Sequence, residues 1–399
     1  MIEPYSIQLP MMIEFGGGVS AKVGEYARRL GKTAFIVTDK GVAHAGILAG
    51  VEDSLSKVGI DRIVFDEVIP NPNDTLVEKV AAYLKVQKCD LVVAVGGGSS
   101  MDTAKAIALL ATNPGRTADY VLADFSDLGK IKTHPLPLIT VPTTAGTGSE
   151  VDFWAVITIA DRRMKFSIGQ GPMYPNGPYL GATVCLVDPL LTLGLPPKLT
   201  ASTGIDALSH AVETYVAKGT NPFVEALALR SIELIARYLR TAYSEGSNVE
   251  ARESMMLASH LAGICENFAN CGGIHSLAEA TGGIRGDIAH GDAIAVYFPH
   301  VMLYNLPDAE AKFAKIATVM GEERRGLSLG EAAEKAIGCV RKLIEDLKMP
   351  TNLRSLGITE KELPAIAERA TWDMCTSGNP RAIGGDQFLA IAKKALGET

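Results

Sequence analysis

Short apolar runs alternate with amphipathic stretches through the first half of the chain. The runs are rich in Val and Ile and have the length of buried strands, whereas the stretches between them place apolar residues at helical spacing. The pattern predicts strands at residues 32–39, 61–68, 89–96, 137–144 and 183–189, and helices at 41–59, 74–89 and 101–112. This order is typical of an α/β fold, in which helices cover a mostly parallel sheet.

The pattern differs in later parts of the chain. Residues 153–161 and 164–170 predict two extended segments joined by a turn, and the Gly- and Pro-rich residues 169–181 predict a loop. After Pro197, which suits the first position of a helix, the helical period continues almost to the end. It predicts helices at 198–217, 222–241, 249–268, 309–320, 328–346 and 384–396.

Length and composition fit a two-domain globular protein. The chain has 399 residues, of which 47% are hydrophobic and 21% are charged. Because the pattern changes near the proline pair, we expect an α/β domain at residues 1–192 and an all-helical domain at residues 193–399. The net charge of −7 argues against a general nucleic-acid binder, since neutralising phosphates needs clustered Lys and Arg.

Cysteine usage and the N-terminus bear on the compartment. The six cysteines are scattered and form no CxxC pair, which is typical of reduced thiols in a cytoplasmic protein. The N-terminal MIEPYSIQLP carries Glu3 and lacks a basic region followed by an apolar core, so we expect no signal peptide. A run of about 18 apolar residues, which a membrane-spanning helix needs, does not occur in the sequence.

Three glycines and two serines join a predicted strand to a predicted helix in VVAVGGGSSMDTAK. Glycine lets a backbone approach a phosphate closely, and the start of a helix offers free N–H groups and a positive dipole end. Gly97, Gly98 and Ser99 are therefore candidates for binding a pyrophosphate. The alternative is a tight turn without a ligand, since the segment is not the GxGxxG fingerprint of dinucleotide binding.

Asp39 ends the first of these predicted strands. An acidic side chain at that place can accept hydrogen bonds from ribose hydroxyls and repels a 2′-phosphate, which would favour NAD over NADP. The alternative is that Asp39 caps the helix that follows.

A second polar loop, VPTTAGTGSEV, follows another predicted strand. Its hydroxyl side chains are candidates to face a phosphate or a nicotinamide: Thr143, Thr144, Thr147 and Ser149. The alternative is an ordinary turn capped by Ser and Thr. Two such loops favour the ligand interpretation, because ligands of open α/β sheets bind beyond the carboxyl ends of the strands.

Asp206 and His210 stand four positions apart in GIDALSHAVE, so they share one face of a predicted helix. His275 and His290 follow in glycine-rich segments. One carboxylate and three imidazoles suit a divalent metal such as iron, zinc, manganese or cobalt, which would act as a Lewis acid on a substrate oxygen. The alternative for the Asp206–His210 pair alone is a surface or core hydrogen bond.

Several segments together resemble one family. VGGGSSMDTAK, PTTAGTGSEV, LVDP…GIDALSHAVE and AHG…PHV occur in the order found in the iron-dependent (group III) alcohol dehydrogenases, and the match runs from IVTDKG to SGNPR. The resemblance implies a dehydroquinate-synthase-like fold, with a dinucleotide-binding domain, an all-α domain and an active site between them. It also implies hydride transfer between NAD(P) and an alcohol or aldehyde held by a metal, with iron favoured over zinc.

The resemblance assigns roles to single residues. The family's metal ligands match Asp206, His210, His275 and His290, and its ribose-contacting Asp matches Asp39. Its other cofactor-binding positions match Asn71, Gly97, Gly98, Ser99, Thr143, Thr144, Thr147, Ser149 and Lys165. The family also implies a homodimer or a larger homo-oligomer.

The chain departs from the family pattern near its predicted active site. Glu279 stands where a second, non-ligand histidine associated with proton transfer is usual, and Asp152 stands where Thr is usual. A carboxylate near a metal can act as an acid or base, so Glu279 is the candidate catalytic residue. The alternatives for Glu279 are a fifth ligand or an ordinary helix residue.

The leading interpretation is a metal-dependent oxidoreductase that transfers hydride between NAD(P) and a small alcohol or aldehyde. One alternative is a related-fold enzyme, such as a polyol dehydrogenase or a maleylacetate-type reductase. Another is a catalytically silent nucleotide-binding protein, which would be expected to have lost a metal ligand. A heavily anionic substrate is disfavoured, because Arg285 is the only cation we find close to the ligand segments, with Arg381 more remote.

Overall fold

The computed structural model describes residues 3–123, 127–172 and 177–397. These form two compact units. The first, which we call the sheet unit, comprises the described residues within 6–144 and 148–195. The second, the helical unit, comprises residues 3–5, 145–147 and 196–397. Part of the loop predicted at 169–181 lies outside the described residues.

Six parallel strands form the main sheet of the sheet unit, in the order β1-β8-β5-β4-β2-β3. Their bounds are Met12–Phe15 (β1), Thr33–Val37 (β2), Asp61–Phe65 (β3), Leu91–Gly96 (β4), Leu138–Pro142 (β5) and Val184–Val187 (β8). β4 and β5 are buried along their whole length, as expected for apolar strands covered on both faces. Two further strands, Trp154–Ile159 (β6) and Met164–Gly169 (β7), form an antiparallel hairpin.

Five helices accompany these strands in the described part of the sheet unit. They are Val23–Leu30 (α1), Lys40–His44 (α2), Ile47–Lys57 (α3), Asp74–Gln87 (α4) and Gly98–Thr112 (α5). The single helix predicted at 41–59 is wrong, since α2 and α3 are separate. Gly46 lies between them with a φ of 79°, a left-handed conformation that interrupts a helix and that glycine adopts without strain.

The helical unit contains eight α-helices among its described residues. They are Pro197–Val216 (α6), Pro222–Ser244 (α7), Val249–Glu266 (α8), Gly273–Ile284 (α9), His290–Val319 (α10), Leu329–Asp346 (α11), Leu363–Ala370 (α12) and Gly385–Leu396 (α13). α9, α12 and the first part of α10 were not predicted. α10 is kinked at Ala309, two residues after Pro307, so only the stretch beyond the kink resembles an ordinary helix in sequence.

The parallel sheet and the helical C-terminal part confirm the fold class expected from the sequence. Among the described residues, no helix is both long and apolar enough to span a membrane.

Candidate metal centre and cofactor-binding loops

One face of α6 carries three ionisable side chains, Asp206, His210 and Glu213. Their spacing of four and then three positions places them one above another on the helix. All three are buried. Buried charges need partners or a ligand, so this face of α6 must be met by other polar groups.

Glu213 connects α6 to the start of α9. Its Oε1 accepts a hydrogen bond from the backbone N–H of Ile274 at 2.8 Å, and its Oε2 lies 2.6 Å from Nδ1 of His275. Gly272, just before α9, approaches so closely that a Cβ there would lie 2.9 Å from Glu213 Oε1. The glycine therefore allows one carboxylate both to cap α9 and to orient His275.

Asp206, His275 and His290 converge on one point in the helical unit. Asp206 Oδ1 lies 3.7 Å from Nε2 of His275 and 3.4 Å from Nε2 of His290. These contacts are too long for good hydrogen bonds. Donor atoms about 2.1 Å from a tetrahedral metal lie about 3.4 Å from one another, so the spacing fits a metal's ligands.

The polar atoms of this group support the same conclusion. Asp206 Oδ1 and His275 Nε2 are buried and have no hydrogen-bond partner within the described residues. Burial alone would raise the pKa of Asp206, but the surrounding histidines hold it well below its usual value, so the carboxylate is ionised. An ionised oxygen facing imidazole nitrogens at this distance is a donor set for a divalent cation.

His210 lies beside this group rather than within it. Its ring stacks on that of His275 with 4.2 Å between centroids, and its Nε2 lies 3.5 Å from Glu266 Oε2. Burial, followed by the charge of His275, lowers the pKa of His210 to about 3, so its imidazole is in the neutral form that binds metals. Donor atoms of His210 and His275 form a second close group with Cys271.

Glu279 follows His275 by one turn of α9 and is buried. Its Oε1 lies 3.8 Å from Nε2 of His290. A second buried carboxyl group, Asp373, is close enough to be affected by it. Burial, and then the charge of Glu279, raises the pKa of Asp373 to about 6. Two buried carboxyl groups, Glu279 and Asp373, therefore lie close enough to interact, and Glu279 is near His290.

In the sheet unit, the predicted polar positions lie at the carboxyl ends of three adjacent strands. Asp39 follows β2, the glycine loop follows β4, and Thr143 follows β5. Thr143 donates its backbone N–H to the carbonyl of Gly96 at 2.9 Å, which holds two of the predicted loops side by side. A Cβ on Gly97 would lie 3.1 Å from the Thr144 hydroxyl, so the close approach of the loops favours glycine.

The glycine loop ends in the N-terminus of α5. Gly97 is the N-cap residue and no side chain caps the helix, so the first N–H groups, which include those of Gly98 and Ser99, have no partner within the helix. Gly96 has a φ of 154°, and a Cβ there would lie 2.5 Å from Ser100 Oγ. This is a geometry that can bind a phosphate.

The two carboxylate oxygens of Asp39 have different surroundings, and one of them confirms the helix-cap interpretation. Its Oδ1 accepts a hydrogen bond from the backbone N–H of Val42 at 3.1 Å and so caps α2. Its Oδ2 lies at the glycine loop, 3.5 Å from the position of a Cβ on Gly96. One oxygen is structural and the other faces the loop proposed to bind a phosphate.

Ser149 belongs to a buried charged cluster instead of projecting as a simple loop hydroxyl. Its Oγ accepts from Lys105 Nζ at 2.9 Å and donates to Asp102 Oδ1 at 2.5 Å. Lys105 also bonds Asp152 Oδ1 at 2.5 Å and the carbonyl of Trp154 at 2.6 Å. Burial raises the pKa of Asp152 to about 6 although Lys105 opposes the shift.

The remaining predicted cofactor residues are more dispersed. Asn71 adopts a φ of 51°, and its carbonyl accepts from the Thr158 hydroxyl at 3.5 Å. Lys165 is buried on β7, opposite Thr158, and its charge acts on Asp102. Thr147 is half-buried and belongs to the helical unit.

Sequence reasoning did not single out Glu213, Cys271 or Lys105. Glu213 lies seven positions after Asp206, so the helical period could have placed it on the same face. Cys271 precedes His275 by four positions, but it comes before α9 begins. No local pattern could have paired Lys105 with Asp152, which lies 47 positions away.

The two units thus hold a buried carboxylate–imidazole centre and a phosphate-binding type of loop, which define a metal- and nucleotide-dependent enzyme. Comparisons identify its family. A family model described as "Iron-containing alcohol dehydrogenase" matches residues 10–189, and one described as "Fe-containing alcohol dehydrogenase family, C-terminal" matches residues 200–396.

Individual relatives match over almost the whole chain. A 1,3-propanediol dehydrogenase of Klebsiella pneumoniae is 43% identical over 394 residues, covering 97% of this chain and 98% of that protein. A choline dehydrogenase of Bacillus subtilis (strain 168) is 39% identical over 398 residues, covering 99% and 96%. The crystal structure of a 1,3-propanediol oxidoreductase is similar with a TM-score of 0.91 and 40% identity, covering 98% and 100%.

The chain therefore belongs to the iron-containing alcohol dehydrogenase family. It is a metal-dependent oxidoreductase of alcohols and aldehydes, with iron and a nicotinamide cofactor. This confirms the fold, enzyme class and cofactors that the sequence led us to expect, and it disfavours a catalytically silent nucleotide-binding protein.

Proposed function

We propose that the chain interconverts small alcohols and aldehydes with iron bound by Asp206, His210, His275 and His290 and with NAD as hydride carrier. The observation that carries this proposal is the convergence of Asp206, His275 and His290, whose donor atoms have the spacing of metal ligands. His210, one turn of α6 beyond Asp206, supplies a neutral imidazole next to them.

Glu213 holds His275 in the orientation that metal binding requires. The bound iron would polarise the substrate oxygen as a Lewis acid. Glu213 accepts a hydrogen bond from Nδ1–H of His275, which leaves Nε2 as the metal-binding nitrogen. Such outer carboxylates fix ligand orientation in metal sites. The same carboxylate holds the start of α9 through Ile274, so the position of His275 does not depend on the ion alone.

We assign proton transfer to Glu279. Its carboxylate lies one turn after His275 and 3.8 Å from His290, and its position replaces the histidine usual in the family. Glu279 accepts the alcohol proton during oxidation and returns it during reduction. The Asp373 carboxyl group is close enough for the charge of Glu279 to raise its pKa.

A comparison of two substitutions tests this role. We expect Glu279→Gln to lower kcat by about 10²- to 10⁴-fold, the usual contribution of a general acid or base, with metal content unchanged. Glu279→His should retain most of the activity and move the pH profile, because imidazole titrates at a different pH. Full activity of Glu279→Gln across the pH range would exclude proton transfer by Glu279.

The cofactor-binding positions are proposed on the sheet unit. Gly97, Gly98 and Ser99 bind the pyrophosphate through the start of α5, and the absence of a side-chain cap there supports this assignment. Asp39 accepts from the ribose hydroxyls and gives the preference for NAD over NADP. The other proposed contacts are made by Asn71, Thr143, Thr144, Thr147, Ser149 and Lys165.

Asp39→Asn tests cofactor preference without losing the cap, because Asn caps helices as well as Asp does. We expect the ratio of kcat/KM for NADH over NADPH to fall by at least about tenfold, since the carboxylate no longer repels a 2′-phosphate. Asp53→Asn, an exposed carboxylate of α3, is the matched control. Equal use of both cofactors by the unaltered protein would contradict the proposal.

Metal dependence tests the centre itself. Dialysis against a chelator should abolish NADH-linked aldehyde reduction, and Fe²⁺ should restore it. His275→Ala should lose bound metal as measured by mass spectrometry, whereas His134→Ala, in the sheet unit, should bind as much metal as the unaltered protein. Undiminished metal content in His275→Ala would remove His275 from the ligand set.

The substrate is proposed to be a small neutral or cationic alcohol. Relatives are named for 1,3-propanediol and for choline. Arg285 is already engaged by Asp287 at 2.9 Å and by the carbonyl of Gly357 at 2.9 Å. In a panel of 1,3-propanediol, choline and a hydroxy acid, kcat/KM should be lowest for the acid.

We further propose two domains at residues 1–192 and 193–399, a cytoplasmic location and a homodimer or larger homo-oligomer. Six free thiols support a reducing compartment. Light scattering during gel filtration measures the oligomeric state, and a monomer at micromolar concentration would contradict that part of the proposal.

A further inference from the structure

Cys271 stands at the edge of the proposed metal centre, outside the four ligands expected for it. Its Sγ and donor nitrogens of His210 and His275 all lie within 4.8 Å of one another. All three side chains are buried, between 4% and 6% exposed. A third donor type, sulfur, is thus within reach of a cation bound to these histidines.

The backbone around Cys271 is held in place by close contacts. Gly378 approaches so closely that a Cβ there would lie 2.1 Å from the Cys271 carbonyl oxygen. On either side, Asn270 Nδ2 donates to the carbonyl of Met374 at 2.7 Å, and Gly273 donates its N–H to Asn379 Oδ1 at 3.1 Å. The thiol is therefore presented from a rigid segment, as a preorganised ligand should be.

The two close groups share His275 but differ in chemistry. Asp206, His275 and His290 combine a carboxylate with two imidazoles, whereas His210, Cys271 and His275 combine a thiol with two imidazoles. His210 Nδ1 is buried and has no hydrogen-bond partner in the described part of the chain. Thiolate ligands favour softer cations, and cysteine sulfur and histidine nitrogen are both ordinary ligands of zinc.

We propose that Cys271 is an additional metal-binding residue, and that a thiophilic divalent cation such as Zn²⁺ binds its sulfur together with His210 and His275. This inference rests on the proposed metal centre. Binding replaces the S–H bond by an S–metal bond and releases the proton to solvent, with no change of oxidation state. Cys271 thereby adds a sulfur ligand when a thiophilic cation occupies the centre, whereas iron is held by Asp206, His210, His275 and His290.

Cobalt(II) substitution tests the proposal, because a cobalt–thiolate bond produces a sulfur-to-metal charge-transfer band in the near ultraviolet. The metal-free full-length protein, loaded with Co²⁺, should show this band. The band should disappear in Cys271→Ser and persist in Cys375→Ser, which removes the thiol hydrogen-bonded to Cys271. Zinc affinity, measured by chelator competition, should fall in Cys271→Ser by more than the roughly 10- to 100-fold typical of an outer-shell change.

The outcomes separate this inference from the proposed function. If the unaltered protein binds Co²⁺ without a sulfur band, Cys271 is not a ligand, and iron-dependent activity can still support the function. If the band is present but no alcohol is oxidised, Cys271 is a ligand and the proposed reaction is wrong. A band that survives in Cys271→Ser overturns the inference. If that variant folds poorly, the spectrum of the unaltered protein still decides whether a sulfur ligand is present.

Discussion

Each compact unit buries a cluster of charged side chains, and the clusters differ in how their polar atoms are satisfied. In the sheet unit, Lys105 is fully buried and donates to Ser149, Asp152 and a backbone carbonyl at 2.5–2.9 Å. In the helical unit, Asp206 and His290 approach only to 3.4 Å, and Asp206 Oδ1 has no hydrogen-bond partner among the described residues.

The difference separates the structural ion pair of Lys105 and Asp152 from the side chains proposed to bind a metal. A lysine bonded on all three N–H donors has nothing left to offer a ligand, so the Lys105 cluster joins α5 to the segment around β6. A buried carboxylate without a partner is costly unless something binds it. The unsatisfied oxygen of Asp206 therefore supports the proposal that this cluster binds a metal ion. A buried charge alone does not indicate a ligand-binding site. A buried charge whose oxygen or nitrogen atoms lack hydrogen-bond partners does indicate one.

The largest effect is expected from removing Lys105, whose hydrogen bonds satisfy the cluster in the sheet unit. Lys105→Met should destabilise the protein by about 3–5 kcal/mol, because it leaves Asp152 buried without its cation. Urea unfolding measures the change. Lys335→Met, which breaks the exposed pair with Glu322, should cost less than about 1 kcal/mol. Equal effects of the two substitutions would mean that the Lys105 cluster is not structural.

Adding metal tests whether the cluster around Asp206 gains a partner that stabilises the folded protein. A cation that binds only the folded protein should stabilise it by about 2.7 kcal/mol at a free concentration 100 times its Kd. Asp206→Asn should abolish most of this stabilisation by metal. Asp102→Asn should leave the metal-dependent stabilisation unchanged, whatever it does to the stability of the metal-free protein. Thermal unfolding with and without Fe²⁺ gives both values. An equal gain in Asp206→Asn would contradict the assignment of Asp206.

Glu213 shares features of both clusters. Its carboxylate is satisfied by hydrogen bonds, yet one of them is to His275, a proposed metal ligand. We expect Glu213→Gln to weaken metal binding by about 10- to 100-fold, which is about 1.4–2.7 kcal/mol, because it no longer fixes the His275 tautomer. Isothermal titration of the metal-free protein measures the affinity. Glu225→Gln, an exposed carboxylate paired with Lys312, is the control and should bind as before.

The smallest expected effect concerns Asp39, which has one structural oxygen and one facing the glycine loop. Asp39→Ala should lower the free energy of unfolding by about 1 kcal/mol through loss of the α2 cap, whereas Asp39→Asn should cost only a few tenths. Both should relax cofactor preference. If only the alanine variant changed preference, the cap and not the charge would explain it.

Much of this protein could be predicted from local patterns. The Val- and Ile-rich runs indicated the parallel strands, and GGGSS indicated a loop before a helix start. The spacing of Asp206 and His210 placed them on one helical face. These features depend on residues a few positions apart. The predicted helices did not include α9 or the start of α10, because α9 contains three glycines and α10 contains Pro299 and Pro307, residues that disfavour a helix interior.

By itself, the sequence determined the α/β character of the first half, the helical character of the second, the donor types of the metal centre and the family resemblance. Only the tertiary structure decided that Ser149 is engaged by Lys105, and that Glu213 orients His275 from 62 positions away. It also placed Cys271 beside two predicted ligands. The physical reason is that backbone periodicity is local, whereas pairing of buried charges depends on which distant segments pack together.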